Sequence, residues 1–370
     1  CVDPDDNSII YIGVTTPGAD SVRLMTSTDK GKTWRTLASV AGRKTLEIFS
    51  PRTIGMPGRV GLVTERSFAR VDLSGGVVEY CKLPIRTIRE ATGGAAGRSG
   101  VIYLLTGYGR DRALEDWGVF CSSDGGESWQ QRVSGLENEW AAADISPASL
   151  VSLDASSMNP EVLYLSIREF PADVDGKLEY HAGIMKSSDG GRDWQWVYRA
   201  NSEVVLSDNS TEYWRDWSYG PGGWSPWSVG VSPSNQDVCY GAGTRNLGTV
   251  DGGVQWQQIV SDNLPDGSSA TRGTEGTTTY GMHFDPFDDQ HLFISYTDLG
   301  AYHSFNGGKS WFHSIKGIPR EWINTCYWME FDPKVEGLLW GAWSNVHDLP
   351  RAKMYRSGNL VNGRKKGGVA

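Results

Sequence analysis

The chain carries one octapeptide five times, and this repeat constrains the fold more than any other feature. Two copies read Ser-Ser-Asp-Gly-Gly-Glu-Ser-Trp over residues 122–129 and Ser-Ser-Asp-Gly-Gly-Arg-Asp-Trp over 187–194. The others span 27–34, 249–256 and 304–311, the last with Asn306 in place of the aspartate. Recurrence of this kind is typical of repeat architectures, in which each copy belongs to one supersecondary unit.

The chemistry of the octapeptide is local. The aspartate carboxylate can accept hydrogen bonds from backbone N–H groups of its own turn. The glycine two residues later permits a positive φ, and the terminal Trp offers a large apolar surface for packing between neighbouring sheets. We predict that Asp29, Asp124, Asp189 and Asp251 are structural, because an element repeated in every unit is poorly suited to form one active site.

A second repeated element precedes the octapeptides. A short strand ends in Asp-Pro, Asn-Pro or Ser-Pro, and a polar turn and another strand follow, as at residues 284–295 and 331–340. Each unit then contains four antiparallel strands, which is the blade of a β-propeller. Trp34 and Trp129 are 95 residues apart, which leaves room for one blade without the octapeptide, predicted at residues 60–80.

The predicted fold is therefore all-β: a single seven-bladed β-propeller over residues 1–370, with four antiparallel strands per blade. The approximate blades are 1–44, 45–90, 91–140, 141–205, 206–265, 266–318 and 319–370. Because residues 1–4 align with the end of a first strand, we expect the chain to start inside a blade. Two interpretations stay open: a fragment of a longer polypeptide, or first and last blades that complete each other.

Composition excludes several classes of function. Lys and Arg total 35 against 44 Asp and Glu, for a net charge of −9. Such a chain lacks the cationic excess that phosphate neutralisation needs, so nucleic acid is not an expected partner. No apolar stretch approaches the length of a membrane span. Five cysteines without a C-x-x-C pair indicate neither a zinc site nor a disulfide framework. No cofactor is predicted, and no ligand spacing argues for a metal.

The chain has 16 Trp residues, too many for core packing alone, and only five of them close octapeptides. The predicted loop over residues 201–227 holds four more. One interpretation is a small core that folds this loop on itself; the other is an aromatic platform on which the apolar faces of sugars stack. The predicted platform residues are Trp214, Trp217, Trp224 and Trp227 in the loop, with Trp140, Trp322 and Trp343 extending it on the same face.

Equivalent positions at the ends of the second strands form a predicted polar ring. They are occupied by Thr16, Tyr108, Glu169, Arg245, Asp298 and Asn345. Glycoside hydrolysis uses two carboxyl groups, one as acid and one as base or nucleophile. Candidates for catalysis are Asp298, Glu169 and Asp348, the last with His347 beside it. For each of them a salt bridge, for example with Arg245, is the alternative.

The repeat resembles the Asp-box propellers, namely sialidases, the xyloglucan hydrolases of glycoside hydrolase family 74, and sortilin-type receptors. The segment 297–303, Thr-Asp-Leu-Gly-Ala-Tyr-His, is similar to the T-D-[IV]-G-G-A-Y-R segment of family 74, with one glycine fewer and His303 where arginine is expected. The resemblance implies that Asp298 is a catalytic carboxylate. It also implies a site between two propellers, which would place the partner of Asp298 outside these 370 residues. If the single propeller is complete, the partner is instead Glu169 or Asp348.

These observations predict a secreted, extracellular or periplasmic glycoside hydrolase that binds a polysaccharide or oligosaccharide on the loop face. Arg245, Tyr302, His303, Trp322, Trp343 and His347 complete its predicted substrate-binding set. A polysaccharide lyase remains an alternative, with Tyr302, His303 or His347 as base and Arg245 binding a uronate. A sialidase is another, although the Arg-Ile-Pro segment of that family is absent. A third is a non-catalytic propeller that binds a glycan or a protein.

Overall fold

The computed structural model describes residues 1–93, 100–106, 117–137, 148–201, 226–243, 246–259, 261–271 and 278–345. The chain divides into two compact units, Cys1–Gln258 and Ile259–Ala370. In the described residues of both units, nearly all of the regular secondary structure is β-strand. None of the helices in the described ranges is long and apolar enough to cross a membrane.

In its described residues, the first unit contains five successive antiparallel sheets. The first sheet is β1 (Ile10–Thr15), β2 (Ser21–Ser27) and β3 (Arg35–Ala41), and the second is β4 (Thr45–Phe49), β5 (Arg59–Thr64), β6 (Phe68–Asp72) and β7 (Val78–Tyr80), with the short helix α1 (Pro51–Ile54) between β4 and β5. The third is β8 (Glu90–Gly93), β9 (Ile102–Thr106), β10 (Gly118–Ser122) and β11 (Gln130–Arg132). The fourth is β12 (Ser149–Ala155), β13 (Leu163–Val174), β14 (Lys177–Ser187) and β15 (Gln195–Ala200), and the fifth is β16 (Ser228–Val231), β17 (Cys239–Ala242), β18 (Leu247–Thr249) and β19 (Gln257–Gln258).

The second unit begins with a two-stranded hairpin and continues with two sheets in its described part. The hairpin is β20 (Ser261–Asn263) and β21 (Ser269–Thr271). The next sheet is β22 (Thr279–Phe284), β23 (Leu292–Tyr296), β24 (Ala301–Ser304) and β25 (Phe312–His313). A 3-10 helix (Arg320–Trp322) leads to the last pair, β26 (Thr325–Phe331) and β27 (Leu339–Ser344).

In every one of these sheets each strand pairs with the next strand along the chain. Such consecutive antiparallel pairing is what the repeated four-strand unit predicts, because short turns can join only antiparallel neighbours. The predicted class, an all-β protein of propeller type with four-stranded antiparallel sheets, is confirmed. The number of blades, their boundaries and their assignment to one domain stay predictions.

Hydrophobic clusters fill the space between consecutive sheets. One cluster joins Val22 and Leu24 of the first sheet to Leu62 and Val71 of the second. Corresponding clusters join the second sheet to the third, the third to the fourth and the fourth to the fifth. In the second unit, Phe293 packs with Phe331 between the last two sheets. The core of each unit therefore consists of successive sheets packed face to face, as in a stack of blades.

The octapeptides adopt one shared hydrogen-bonding geometry. In the copy at 122–129, Asp124 Oδ1 accepts from Ser122 Oγ at 2.7 Å and from the Ser128 N–H at 3.0 Å. The copies at Asp29, Asp189 and Asp251 repeat both contacts, and Asn306 Oδ1 takes the same two donors. The predicted turn chemistry is confirmed, and these aspartates are engaged within their own turns.

The closing Trp residues are not equally buried. Trp194 and Trp256 are 2% and 1% exposed and belong to clusters that join two sheets. Trp34 is 36% exposed, and its Nε1 donates to the carbonyl of Gly31 within its own octapeptide. The prediction that each Trp packs between sheets therefore holds for Trp194 and Trp256. It also holds for Trp129, which meets Phe68 of the second sheet edge to face at 6.2 Å. Trp34 is not among the residues of the cluster that joins the first two sheets.

Candidate functional site

The structure describes seven of the predicted site residues: Glu169, Trp227, Asp298, Tyr302, His303, Trp322 and Trp343. Trp214, Trp217, Trp224, Arg245, His347 and Asp348 lie outside the described residues, as do Tyr108 and Trp140. Glu169 and Trp227 belong to the first unit and the other five to the second. The catalytic pairing of Asp298 with Glu169 or Asp348 therefore stays a prediction.

Asp298 lies in the four-residue connection between β23 and β24, with a φ of +62°. Only two other described residues that are not glycine have a positive φ, Lys30 and Asp175. Aspartate tolerates this left-handed region better than most residues, because its short polar side chain can bond locally. Part of the reason for an aspartate here is therefore conformational.

The Asp298 turn, residues 297–300, is anchored to three neighbouring segments. Thr297 donates through both its N–H and its hydroxyl to the carbonyl of Thr278, which precedes β22, at 3.0 and 3.1 Å. The Gly300 N–H donates to the carbonyl of Asn324, which precedes β26, at 3.1 Å. His313 of β25 donates through Nε2 to the carbonyl of Leu299 at 2.9 Å. The turn is thus hydrogen-bonded to the residues just before β22 and β26, and to β25, the outer strand of its own sheet.

Aromatic side chains surround this turn. Tyr302 stacks on His313 with ring centroids 4.6 Å apart and meets Tyr296 edge to face at 5.8 Å. The ring of Trp343 lies close to Gly300, whose missing Cβ would sit 2.9 Å from Trp343 Cζ3. Trp322, at the end of the 3-10 helix, is 51% exposed. The structure thus brings Tyr302 and Trp343 to the Asp298 turn.

His303 occupies the opposite face of the same sheet, as adjacent residues on a strand must. Its Nδ1 is 2.7 Å from Ser314 Oγ, and its ring packs against Phe293 and Phe305. Burial, with a smaller effect of His291, lowers the pKa of His303. Tyr302 and His303 are therefore not neighbours in space around one ligand, and binding by His303 stays a prediction.

The other described candidates lie in the first unit. Glu169 is exposed and sits at a bulge in β13, where residues 168 and 169 interrupt the pairing with β14. We expected the strand to end there, but β13 continues to Val174 and turns at Asp175-Gly176. That Asp-Gly pair is the sequence signal for a tight hairpin. Trp227 is 61% exposed, and its N–H donates to the carbonyl of Ala242 at 2.8 Å.

Sequence reasoning missed three partly buried carboxyl groups on the first strands of the first unit: Glu47, Glu90 and Asp154. Asp154 accepts from Thr92 Oγ1 of β8 at 2.9 Å and from the Val231 N–H of β16 at 2.8 Å, and Glu90 accepts from the Leu153 N–H at 2.8 Å. Burial raises the pKa of all three. These hydrogen bonds connect β8, β12 and β16, the first strands of three consecutive sheets, which do not pair with one another as β-strands. No local pattern marks the contacts of Glu90 and Asp154, because their partners are 62 to 77 residues away. Glu47, in contrast, accepts from the N–H of the adjacent Ile48.

The acidic segment 285–289 carries carboxylate oxygens of the kind that Ca²⁺ prefers as ligands. Asp285 accepts from the Phe287 N–H at 2.9 Å and pairs with His291 Nδ1 at 2.8 Å. These two contacts, the backbone N–H first, lower the pKa of Asp285. Over the ranges that the structure describes, no group of three or more His, Cys, Asp or Glu side chains is arranged to hold a metal ion.

Comparison with solved structures gives similarities at low sequence identity. A family 74 xyloglucanase from Xanthomonas campestris is 14% identical over 86% of this chain and 52% of its own, with a TM-score of 0.47. A family 74 enzyme from Niastella koreensis is 13% identical over 86% of this chain and 58% of its own, with a TM-score of 0.35. YCF48 from Cyanidioschyzon merolae is 13% identical over 92% and 91%, with a TM-score of 0.42.

The chain thus spans a little over half the length of the two matched hydrolases. No family model matches the sequence, and no curated protein matches it. The chain is thus similar in structure to family 74 enzymes and to YCF48. At this sequence identity, the similarity concerns the fold alone.

Proposed function

We propose that this protein is a glycoside hydrolase that acts on a polysaccharide, with Asp298 as one of its two carboxyl groups. The observation that carries the proposal is the Asp298 turn itself. A half-buried carboxyl group sits on a left-handed backbone that three neighbouring segments hold in place, beside Tyr302 and Trp343. Glycoside cleavage requires carboxyl groups that are held in a fixed geometry.

Glu169 or Asp348 would supply the second carboxyl group, or a residue beyond these 370 would do so. The exposed Trp227 and Trp322 would contact sugar rings through their apolar faces. A polysaccharide is too large to enter a cell intact, so such an enzyme would act outside the cytoplasm. The substrate class and this location are both part of the proposal.

The substitution Asp298→Asn tests the proposal, because asparagine tolerates the same backbone conformation while losing the carboxylate. Loss of a catalytic carboxyl group should lower kcat by roughly 10²- to 10⁴-fold. The matched control is Asp175→Asn, the same change at another left-handed residue, in the exposed turn between β13 and β14. Release of reducing sugar from a panel of plant and bacterial polysaccharides would be measured for both variants.

Full activity in Asp298→Asn would exclude a catalytic role for Asp298. A wild-type protein that binds glycans but releases no sugar would instead support the non-catalytic alternative, which the exposed aromatic side chains of Trp227 and Trp322 favour. An unsaturated product that absorbs ultraviolet light would identify the lyase, since β-elimination leaves a conjugated double bond.

A further inference from the structure

Asn324 holds the Asp298 turn through two groups at once. Its carbonyl accepts from the Gly300 N–H at 3.1 Å. Its Nδ2 lies 3.5 Å from Asp298 Oδ1, a contact longer than the usual N–H···O distance of about 2.7–3.2 Å. Catalytic hydrogen bonds are often long in the absence of substrate and tighten when it binds. Asn324 therefore controls both the backbone of the turn and one oxygen of its carboxylate.

The Asn324 side chain is also held from the other side, by Thr325. Thr325 is fully buried, and its hydroxyl donates to Asn324 Oδ1 at 2.9 Å. An amide offers an acceptor oxygen and a donor NH₂, whereas an ionised carboxylate only accepts. With the hydroxyl of Thr325 on the oxygen, the NH₂ group of Asn324 faces Asp298. Flipping the amide would place its oxygen against the carboxylate oxygen, so Asp298 itself favours this orientation, while the hydroxyl of Thr325 holds the Asn324 side chain in place.

The close approach of the two segments depends on Gly300. This glycine has a φ of +67° and forms a parallel bridge with Thr325. A Cβ here would lie 2.8 Å from the carbonyl oxygen of Ile323 and 2.9 Å from Trp343 Cζ3. Only glycine permits this conformation and this contact. The distance between the Asp298 turn and Asn324 is therefore fixed by packing, independently of the side-chain hydrogen bond.

We propose that Asn324 is a positioning residue of Asp298 and that the hydroxyl of Thr325 holds the Asn324 side chain in place. The catalytic consequence rests on the proposed function, whereas the positioning itself does not. A carboxylate that must meet a reacting atom at about 3 Å loses rate when it can rotate, and an error of 1 Å can cost roughly 100-fold. A donor on Oδ1 holds the carboxylate in one orientation.

Steady-state kinetics on a polysaccharide that the wild-type protein cleaves test the catalytic consequence. Asn324→Ala should lower kcat by about 10- to 100-fold, while KM changes by less than about twofold, because the misplaced group acts in the reaction and not in binding. Thr325→Val keeps the shape of the buried side chain but removes the hydroxyl, and it should lower kcat in the same way. Thr325→Ser restores the hydroxyl and should rescue kcat. Equal kinetics of Thr325→Val and Thr325→Ser would overturn the proposal.

A second measurement, by NMR, does not depend on enzymatic activity. The side-chain NH₂ signals of Asn324 in a ¹⁵N-correlated spectrum are assigned by their loss in Asn324→Ala. They should shift in Asp298→Gly, which tolerates the left-handed backbone but lacks the carboxylate, and in Thr325→Val, but not in Thr325→Ser. If the signals stay unmoved in Asp298→Gly, the positioning proposal fails. If they shift as expected in a protein that cleaves no glycan, only the proposed function fails.

Discussion

The stabilising effect of the repeat should depend on how deeply its Trp is buried, and Trp256 and Trp34 allow a direct comparison. Both close an octapeptide in the first unit, yet Trp256 is 1% exposed and Trp34 is 36% exposed. Trp256 packs on Tyr198 of the preceding sheet with ring centroids 6.3 Å apart. The indole N–H of Trp34 instead bonds within its own turn.

The size of the expected difference in unfolding free energy follows from the surface area that each Trp buries. An aromatic side chain that buries about 200 Å² at about 25 cal/mol per Å² contributes about 5 kcal/mol, in line with the roughly 3–5 kcal/mol lost in buried Trp→Ala changes. Trp34 should contribute about a third less, and water can fill the space it leaves at the surface. Trp256→Ala should therefore destabilise the first unit by about 2 kcal/mol more than Trp34→Ala.

Urea unfolding followed by far-ultraviolet circular dichroism would measure this difference, since the signal comes from the sheets and not from the mutated indoles. With slopes of roughly 1–3 kcal/mol/M, the two midpoints should differ by about 1 M. Equal midpoints would refute the reasoning, because they would mean that the Trp stabilises its own turn and not the contact between sheets.

Two further predictions concern pH. The hydroxyl and N–H of Thr33 lower the pKa of Asp29 to about 2. The contribution of Asp29 to folding stability is therefore present above the unfolded-state pKa of about 3.9 and is lost as the pH falls towards 2. Tm should drop between pH 5 and 2.5, and it should drop less steeply in Asp29→Asn. Burial raises the pKa of Glu47, so its ionisation destabilises the fold as the pH rises through that pKa. Glu47→Gln should therefore raise Tm at pH 7 and leave it nearly unchanged at pH 4, and a lower Tm at pH 7 would contradict the assignment.

Local chemistry was readable from the sequence, and long-range pairing was not. The octapeptide predicted its own hydrogen bonds, and Asp72 forms a related turn in the sheet without the motif, accepting from Ser74 and Gly75. Partners such as Asn324 could not be found in this way, because it meets Asp298 across 26 residues through a contact that no repeat marks. The depth of burial of Trp34 was also beyond local pattern, since it depends on how the first two sheets pack.

The comparison of Asp175 with Asp298 shows why the latter is more than a turn residue. Both have a left-handed backbone at a hairpin connection. Asp175 is exposed and is followed by Gly176. The turn is supported by the two strands that it joins and by a hydrogen bond from the Gly176 N–H to Asp173 Oδ1. A hairpin alone therefore explains Asp175.

Asp298 has more support than a hairpin requires. Its turn is bonded to Thr278, to Asn324 and to His313, none of which belongs to β23 or β24. Strained residues persist where the surroundings overdetermine them, and such residues cluster at functional sites. If the support served only folding, Asp298→Gly, which relieves the strain, would keep both stability and activity. If it serves to aim a carboxylate, Asp298→Gly would keep the stability and lose the activity.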